Sequence, residues 1–284
     1  MSEEKGKAFI FGAGGTGRRV AEVLSGKYDI CGFIDNDETK WDTYIDGVKI
    51  YGPDTLLVAE YDVVLLGTLM GYIELQEQML EMGVPAYKIR DDYVGQSVNS
   101  RIDFLKRYAE NVYREDMGGV VGEAGVFRGE FAKEINRCFP DRKCYLFDTF
   151  DGFAEKDIQC EQEESLIIAN YMKGLSEQLV YEKMPHKENI IISKGFFPDT
   201  AIELKITDQF CFVNLDMDLF KPIYEGLCFF YPKMVIGGCI LIHDYYSAAY
   251  PNVKKAVERY EVENHMKLAK LPIGDDISIA VIKI

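Results

Sequence analysis

Two acidic residues and a histidine end two apolar segments in the C-terminal half of the chain. Asp216 ends the segment Phe210 to Asp216, and His243 and Asp244 end the segment Gly238 to Asp244. Apolar runs of this length are typical of buried parallel strands, whose carboxyl ends meet in one cleft. A hard divalent cation held there by oxygen ligands could bind two vicinal hydroxyl groups and lower the pKa of one of them.

A glycine-rich turn from Val120 to Gly129 has the composition of a cofactor-binding loop. Glu123 stands at a strand end, where its carboxylate could meet the ammonium group of an amino-acid tail. Asp148 ends the next predicted strand and is placed to accept hydrogen bonds from a ribose diol. Ser193 and Gly195 end the third strand, where an adenine ring would stack. The candidate cofactor-binding residues are Glu123, Gly125, Phe127, Arg128, Gly129, Asp148, Ser193, Gly195 and Asp216.

A second glycine-rich loop lies near the N-terminus. Gly12, Gly14 and Gly17, with Gly15 among them, follow a predicted strand and precede a predicted helix, and Asp35 stands 18 residues beyond the last glycine. In the dinucleotide fingerprint, such glycines let the backbone approach a pyrophosphate and the acid binds a ribose hydroxyl group. The alternative is that small residues here only permit close packing of strand and helix. We predict a ligand, bound by these five residues.

A resemblance narrows the kind of ligand. The segments Phe33 to Asp37 and Gly47 to Pro53 resemble the N-terminal nucleotide-binding domain of sugar-modifying enzymes, including nucleotide-sugar acetyltransferases. The resemblance covers about the first 90 residues. It implies that the pocket holds a nucleotide or nucleotide-sugar rather than a redox cofactor. A vestigial docking module is the other interpretation.

Strand and helix signals alternate along the chain, which predicts an α/β protein whose parallel sheets are covered on both faces. The polar stretch Asp91 to Ser100 indicates a boundary, so we predict two Rossmann-like doubly wound domains, residues 1–95 and 96–284. The elements predicted before the boundary are strands at Lys7 to Phe11, Tyr28 to Ile34 and Asp62 to Gly67 and helices at Arg18 to Leu24 and Ile73 to Met82.

The second domain is predicted to begin with an amphipathic helix, Ile102 to Tyr113. Its strands are predicted at Gly119 to Glu123, Cys144 to Asp148, Asn189 to Ser193, Phe210 to Asp216, Gly238 to Asp244, Leu268 to Leu271 and Ile277 to Ile284. Five strands with crossovers and a final pair close in sequence predict a parallel sheet with an antiparallel last strand. The insertion Ala154 to Lys187 lies where a lid over the cleft would be.

Six ordered blocks in this domain resemble the macrocin O-methyltransferases of macrolide biosynthesis and their uncharacterised relatives. The blocks are Glu123 to Ala132, Asp148 to Phe153, Gly195 to Thr200, Leu215 to Phe220, Tyr231 to Gly238 and His243 to Tyr245, followed by Val253 to Val257. The resemblance implies a class I methyltransferase fold, S-adenosylmethionine as donor, and a divalent metal, usually magnesium, that helps to bind a sugar diol. It carries the metal-ligand roles onto Asp216, His243 and Asp244.

His243 departs from the family pattern, which has a second aspartate at this position. An imidazole ligand suits manganese, iron or zinc better than magnesium. Alternatively, His243 is the general base that deprotonates the hydroxyl group, or a hydrogen-bonded histidine without a chemical role. His243 and Asp216 are the candidate catalytic residues. We expect Asp218 to cap the helix that starts after Lys221-Pro222.

The composition argues against several classes of partner. The formal net charge of −15 disfavours nucleic acid and anionic membranes, both of which attract basic proteins. Seven scattered cysteines without a CxxC pair predict reduced core thiols. With neither a signal peptide nor a long apolar run in the sequence, we expect a soluble cytoplasmic enzyme, and the family resemblance favours a homo-oligomer.

Three functions compete. The leading interpretation is a metal-assisted O-methyltransferase for a sugar, a glycan precursor or a glycosylated natural product. The alternative is an NAD-linked oxidoreductase or epimerase built on the N-terminal glycine loop, although the first domain lacks a Tyr-x-x-x-Lys pair. A non-catalytic binding protein is the third. The pair of Asp216 and Asp244 disfavours it, because two carboxylates in one cleft cost stability unless a cation or protons relieve them.

Overall fold

A computed structural model describes residues 5–69, 71–153 and 175–284. The chain divides into two compact units, Met1–Asn99 and Ser100–Ile284. Each unit contains its own sheet. No helix among the described residues is both long enough and apolar enough to cross a membrane.

The first unit is a six-stranded sheet with order β3-β4-β2-β1-β5-β6. Its described elements are β1 (Gly6–Phe11), α1 (Gly15–Leu24), β2 (Tyr28–Ile34), β3 (Tyr44–Ile45), β4 (Val48–Tyr51), α2 (Thr55–Val58), β5 (Val63–Leu66), α3 (Tyr72–Glu81) and β6 (Ile89–Arg90). The strands pair in parallel except for β3 with β4. Successive residues of β1 enter opposite cores, Phe9 on one face and Ile10 on the other, as a sheet covered on both sides requires.

The second unit is a seven-stranded sheet with order β12-β13-β11-β10-β7-β8-β9. Its described elements are α4 (Val94–Arg114), in which the division between the units falls, β7 (Val120–Ala124), α5 (Glu130–Cys138), β8 (Cys144–Asp148), α6 (Glu177–Lys183), β9 (Ile190–Lys194), α7 (Asp199–Glu203), β10 (Phe210–Leu215), α8 (Phe220–Phe230), β11 (Met234–Ile242), α9 (Pro251–Glu263), β12 (Ala269–Pro272) and β13 (Ile279–Ile282). The last strand, β13, pairs antiparallel with β11. The predicted fold class is confirmed.

Aromatic packing fixes the middle of this sheet. The rings of Phe147, Phe210 and Phe230 are fully buried, and Phe230 lies 5.1 Å from Phe210 and 6.0 Å from Phe147 between centroids. Burying each ring contributes about 1.5–3 kcal/mol. The opposite face packs a second core around Phe212 and Leu241. Strands held from both sides leave little freedom at their carboxyl ends, where the candidate residues lie.

Several element bounds differ from the sequence predictions. Helix α4 begins at Val94 and not at Ile102. Val94 is buried in a core of the first unit, so most of the polar stretch is helical rather than a loop. Strand β11 begins at Met234, four residues ahead of the predicted start at Gly238. The short elements β3, β4, α2 and β6 were not predicted.

The helix cap and the lid expected from the sequence have different outcomes. The helix cap assigned to Asp218 is wrong, because α8 begins at Phe220 and Leu219 occupies the N-cap position. Most of the lid predicted for Ala154 to Lys187 lies outside the described residues, whereas α6 belongs to its C-terminal part.

Candidate active site

The candidate residues lie at the carboxyl edge of the second sheet. Backbone hydrogen bonds continue the strand pairing beyond the strand ends, from the N–H of Asp216 to the carbonyl of Ala124 (2.9 Å) and from the N–H of His243 to the carbonyl of Leu215 (2.9 Å). The chain leaves β7 toward β8 on one side and reaches β10 on the other, so the strand order reverses between β7 and β10. Such a reversal point opens the crevice in which doubly wound folds bind ligands.

Asp216, His243 and Asp244 form one cluster at this edge. The Nδ1 atom of His243 lies 3.1 Å from Oδ1 of Asp216 and 2.8 Å from Oδ2 of Asp244. The cluster is largely shielded from solvent, with side-chain exposures of 23%, 17% and 11% in chain order. Asp244 has φ of 57°, a left-handed conformation that aspartate tolerates better than most residues. Sparsely populated backbone conformations of this kind concentrate at functional sites.

The two carboxylates make His243 a cation at neutral pH. Burial and the Arg101 guanidinium lower the pKa of the imidazole, but Asp216 and Asp244 outweigh both and raise the pKa of His243 to about 10. Burial opposes ionisation of Asp216, yet His243 and Arg101 hold the pKa of that carboxyl well below its usual value. The negative charge of the cluster is therefore balanced by a proton on His243 and by Arg101.

Arg101, from α4, is a site residue that the sequence analysis missed. One terminal guanidinium nitrogen of Arg101 donates to Oδ2 of Asp216 at 2.9 Å and to Oδ1 of Asn214 at 3.0 Å. The guanidinium carbon lies 4.1 Å from the centroid of the Phe131 ring, within cation–π range. The contact with Asp216 joins residues 115 positions apart, so no local motif announces it.

Asp218 and Tyr250 extend the cluster on its buried side. Burial raises the pKa of Asp218 well above its usual value, and the nearby carboxylates of Asp244 and Asp216 raise it further. Burial and the same carboxylates also raise the pKa of Tyr250. The Tyr250 hydroxyl group is buried and has no hydrogen-bond partner among the residues that the structure describes. Tyr250 was not identified from sequence, where it stands as an isolated tyrosine before Pro251.

Glu123 lies at the end of β7, beside β10. It is 1% exposed, and its Oε1 accepts a 2.7 Å hydrogen bond from Nδ2 of Asn214. Within the described part of the chain, its Oε2 atom has no hydrogen-bond partner. Burial raises the pKa of Glu123 to about 8, against the lowering effect of Arg101 and the Asn214 hydrogen bond. Asn214 is the second residue that we missed, although a polar residue inside an apolar strand was a signal in the sequence.

The loop after β7 wraps around Asp148. Its Oδ2 accepts from the backbone N–H groups of Val126 (2.7 Å) and Phe127 (2.8 Å), and its Oδ1 accepts from Phe150 (2.7 Å). Each carboxylate oxygen has two lone pairs, so Oδ1, which accepts only one of these bonds, keeps capacity for a ribose hydroxyl group. Gly125 has φ of 85°, and a Cβ atom there would lie 1.9 Å from the carbonyl oxygen of Asp216. A side chain at this position is therefore excluded.

The remaining cofactor candidates lie around the same loop. Gly129 precedes α5 in a left-handed conformation, and a Cβ atom there would lie 3.0 Å from Val180 of α6. The carbonyl of Arg128 accepts a hydrogen bond from Lys183 at 2.9 Å. Ser193 lies within β9, and Gly195 follows it with φ of 136°. All of these residues except those of α6 were sequence candidates, and they share the carboxyl edge with Asp148.

The cluster fits a divalent metal. Asp216, His243 and Asp244 each offer one ligand atom, and these atoms lie within 4.8 Å of one another. One imidazole nitrogen and two carboxylate oxygens suit manganese, iron or zinc better than magnesium. Ligation requires the neutral imidazole, so metal binding must release the proton of His243.

The glycine loop of the first unit is explained in part by packing. A Cβ atom on Gly12 would lie 2.7 Å from the carbonyl oxygen of Gly67, and one on Gly17 would lie 1.9 Å from the carbonyl oxygen of Gly12. Close backbone approach therefore requires both glycines. A Cβ atom on Gly14 would meet nothing within 4 Å, and Gly15 begins α1. Gly14 is thus the position whose small size packing does not explain.

Asp35 in the first unit plays the same structural role as Asp148 in the second, since both carboxylates accept hydrogen bonds from a backbone loop. Its Oδ2 accepts from the backbone N–H of Ala13 at 2.9 Å and pairs with the ammonium group of Lys40 at 3.0 Å. Its Oδ1 accepts from the N–H of Asp37 at 2.9 Å. In both units, the acid that follows or ends the second strand holds the loop that follows the first strand.

Comparison with known proteins agrees with this geometry. The family model described as macrocin O-methyltransferase (TylF) matches residues 90–276, and a second model, described as C2185-like, N-terminal, matches residues 4–90. The demethyldecarbamoylnovobiocin O-methyltransferase of Streptomyces niveus is 26% identical over 189 residues, which cover 62% of this chain and 68% of the relative. The mycinamicin III 3''-O-methyltransferase of Micromonospora griseorubida is 25% identical over 174 residues, covering 56% and 67%.

Solved structures share the fold. The O-methyltransferase NovP superposes with a TM-score of 0.55 at 23% identity, covering 65% of this chain and 79% of NovP. The calicheamicin methyltransferase CalS11 gives a TM-score of 0.55 at 16% identity, covering 75% of this chain and 93% of CalS11. These likenesses concern the fold and are consistent with the sheet order described above.

Proposed function

The chain belongs to the macrocin O-methyltransferase family, whose model matches 187 of its 284 residues, and from this premise we propose that it methylates a hydroxyl group of a sugar or glycoside with divalent-metal assistance. The family and the S-adenosylmethionine-dependent O-methyltransferase class predicted from sequence are confirmed. The acceptor class is carried over from the names of the two curated relatives, which denote O-methyltransferases of glycosylated natural products.

One observation supports the proposal more than any other. The buried acid Glu123, with an unpartnered oxygen, and the cluster of Asp216, His243 and Asp244 occupy the ends of β7, β10 and β11, which are neighbours in the sheet. An acid for the ammonium group of a methyl donor and a polar cluster for a hydroxylated acceptor are thus placed side by side. Proximity of this kind supplies much of the rate enhancement in a two-substrate transfer.

The chain's own residues would bind and orient the two substrates. Glu123 takes the ammonium group, the loop held by Asp148 takes the amino-acid tail, and Asp148 takes the ribose. The acceptor oxygen would attack the methyl carbon of S-adenosylmethionine in line. The new C–O bond would form as the sulfonium C–S bond breaks, S-adenosylhomocysteine would leave, and the hydroxyl proton would pass to solvent. The Tyr250 hydroxyl group can hydrogen-bond the acceptor, because it has no partner of its own.

Asp216, His243 and Asp244 would hold the metal, which would bind the acceptor hydroxyl groups and make one more acidic. The raised pKa of His243 supports one of the roles that the sequence left open. With a pKa of about 10, the imidazole is not a base at neutral pH. We therefore favour the ligand role, in which the proton leaves as the metal enters.

The first unit would bind a nucleotide or nucleotide-sugar at the loop of Gly12, Gly14, Gly15 and Gly17. The open position at Gly14 supports this, since a ligand can approach the backbone there. The bonds already made by Asp35 favour a loop-holding part for it. We further propose domains 1–95 and 96–284, a homo-oligomer as in the sequence analysis, and a cytoplasmic site of action. Light scattering and cell fractionation would test the last two.

Methyl transfer tests the central proposal. The wild type should transfer labelled methyl groups from S-adenosylmethionine to members of a panel of deoxysugar glycosides in the presence of Mn²⁺ or Mg²⁺. Asp244→Asn should abolish the transfer while S-adenosylhomocysteine still binds, because Asp244 contacts the acceptor-side cluster rather than Glu123. Full activity of Asp244→Asn would refute the metal-assisted mechanism.

A further inference from the structure

A continuous line of hydrogen bonds joins the cofactor side of the site to the acceptor side. One guanidinium nitrogen of Arg101 donates to Oδ2 of Asp216 at 2.9 Å and to the side-chain amide oxygen Oδ1 of Asn214 at 3.0 Å. The amide nitrogen of Asn214 then donates to Glu123 at 2.7 Å. Four side chains from α4, β7 and the end of β10 are thus linked.

Asn214 connects the two ends of this line, and its side-chain amide can take only one orientation. It is fully buried in the middle of the sheet, where an unbonded amide would cost several kcal/mol. Its oxygen must face the guanidinium, which has no acceptor, and its nitrogen then faces Glu123, which has acceptor capacity in either protonation state. Arg101 therefore fixes the orientation of the Asn214 amide.

The orientation of the Asn214 amide in turn determines which carboxyl oxygen of Glu123 is hydrogen-bonded. Oε1 is engaged by the amide, and Oε2 is left without a partner although the residue is 1% exposed. A buried polar atom without a partner is costly and rare in folded proteins. A bound ammonium group would relieve that cost, so the open oxygen is the atom that a cofactor would meet.

The other contacts of Arg101 hold its guanidinium in place. The group stacks on Phe131 at 4.1 Å, and Phe131 belongs to α5, the helix that follows the candidate cofactor loop. The Arg101 side chain is 13% exposed. A planar cation held by stacking and by two acceptors has little freedom to abandon either one.

We propose that Arg101 is a positioning residue that acts through Asn214 on Glu123 and directly on Asp216. One cation thus fixes the positions of two carboxyl groups, Glu123 on the cofactor side and Asp216 on the acceptor side. This inference rests on the proposed function, because it assumes that Glu123 receives the donor. It deepens that function by assigning a role to Arg101 and Asn214, neither of which belongs to the predicted cofactor or metal sets.

The test is a double-mutant cycle read by calorimetric titration with S-adenosylhomocysteine. Arg101→Met and Asn214→Leu should each weaken binding about tenfold or more, as expected when a hydrogen bond to a charged group is lost. The double variant should be little weaker than either single variant, because residues of one network do not contribute additively. Arg101→Lys keeps a cationic donor but loses the planar group that stacks on Phe131, so it should recover only part of the affinity.

Arg107→Met is the matched control, since Arg107 lies on the same helix in an exposed pair with Glu110 and should bind like the wild type. If Arg101→Met does not fold, Arg101→Gln replaces it in the cycle. Wild-type affinity in a folded Arg101 variant, or fully additive losses, would overturn the inference while the proposed function stands. Failure of the wild type itself to bind S-adenosylhomocysteine would overturn the proposed function and this inference with it.

Discussion

Replacing Glu123 by Gln separates the charge of this buried acid from its shape. Burial raises the pKa of Glu123 to about 8, so at neutral pH the cofactor-free protein holds a proton on this residue. An ammonium group favours the ionised form. Cofactor binding must therefore release the proton, and the affinity for S-adenosylhomocysteine should rise with pH until Glu123 is ionised in the free protein.

The size of the effect follows from the ionised fraction. With a pKa of about 8, that fraction, and with it the association constant, should rise about ninefold from pH 6 to pH 7 and about fivefold from pH 7 to pH 8. Glu123→Gln should bind more weakly at pH 8 and lose this dependence, because the amide does not titrate. Any dependence that remains in the variant reports titration of other groups, including the ligand's amine.

Calorimetric titration at these three pH values, in buffers of different ionisation enthalpy, measures both the affinity and the proton released. The prediction is about one proton released per ligand at pH 6, falling to about half a proton at pH 8. Equal affinities of the wild type at pH 6 and pH 8, with no proton release, would refute the assignment of Glu123 to the ammonium group.

The same substitution has a consequence for stability. The pKa of Glu123 is about 8 in the folded protein against an ordinary value of 4.5, so the folded state holds the proton while the unfolded chain has lost it. Stability therefore falls as pH rises from about 4.5 to 8, by at most about 5 kcal/mol. Glu123→Gln should remove this contribution from the fall measured by urea unfolding between pH 5 and pH 9, while the fall caused by the raised pKa of His243 remains. An unchanged pH profile would contradict the cause given for the shift.

Three further predictions concern the acceptor side and the loop. His243→Asp should strengthen Mg²⁺ binding and remove the increase of Mg²⁺ affinity with pH. The reason is that the wild-type imidazole, with a pKa of about 10, must lose a proton before it binds a metal. A steep pH dependence of the Mg²⁺ affinity in both proteins, measured by calorimetry, would contradict this. Tyr250→Phe should leave the melting temperature unchanged or raise it, since it removes a buried hydroxyl group without a partner among the described residues. The same change should lower kcat for methyl transfer. A drop in thermal stability would show that the hydroxyl group is hydrogen-bonded in solution. Gly125→Ala should destabilise the protein by several kcal/mol and impair S-adenosylhomocysteine binding, because its Cβ would lie 1.9 Å from a carbonyl oxygen. Gly118→Ala is the control, since no atom lies within 4 Å of a Cβ at that position. Equal melting temperatures for the two variants would refute the steric argument.

The parallel strands and their chemistry were accessible from sequence because both depend on short-range patterns. An apolar run such as Phe210–Leu215 predicts a buried strand, and a polar residue directly after it lies at the carboxyl edge. That rule alone brought Asp148, Asp216 and Asp244 to one edge of the sheet. Glycine positions with a steric requirement, such as Gly125, were also visible as part of the loop pattern.

The network around these residues was not accessible in the same way. Arg101 reaches Asp216 across 115 positions, and its helix was predicted to start one residue after it because the preceding turn is polar. The charge of His243 depends on the distances to two carboxylates, which no spacing in the sequence encodes. Short elements such as β3 and β6, with two residues each, carry too few residues for a periodic signal.

The central claim is that the second unit binds the methyl donor at the edge between β7 and β10. Calorimetric titration of the wild type with S-adenosylhomocysteine and, separately, with NAD tests this most directly, with Gly125→Ala as the variant that blocks the loop. The account predicts that the wild type binds one S-adenosylhomocysteine per chain and that the variant binds much more weakly. Binding of NAD without any binding of S-adenosylhomocysteine would contradict it and move the active centre to the glycine loop of the first unit.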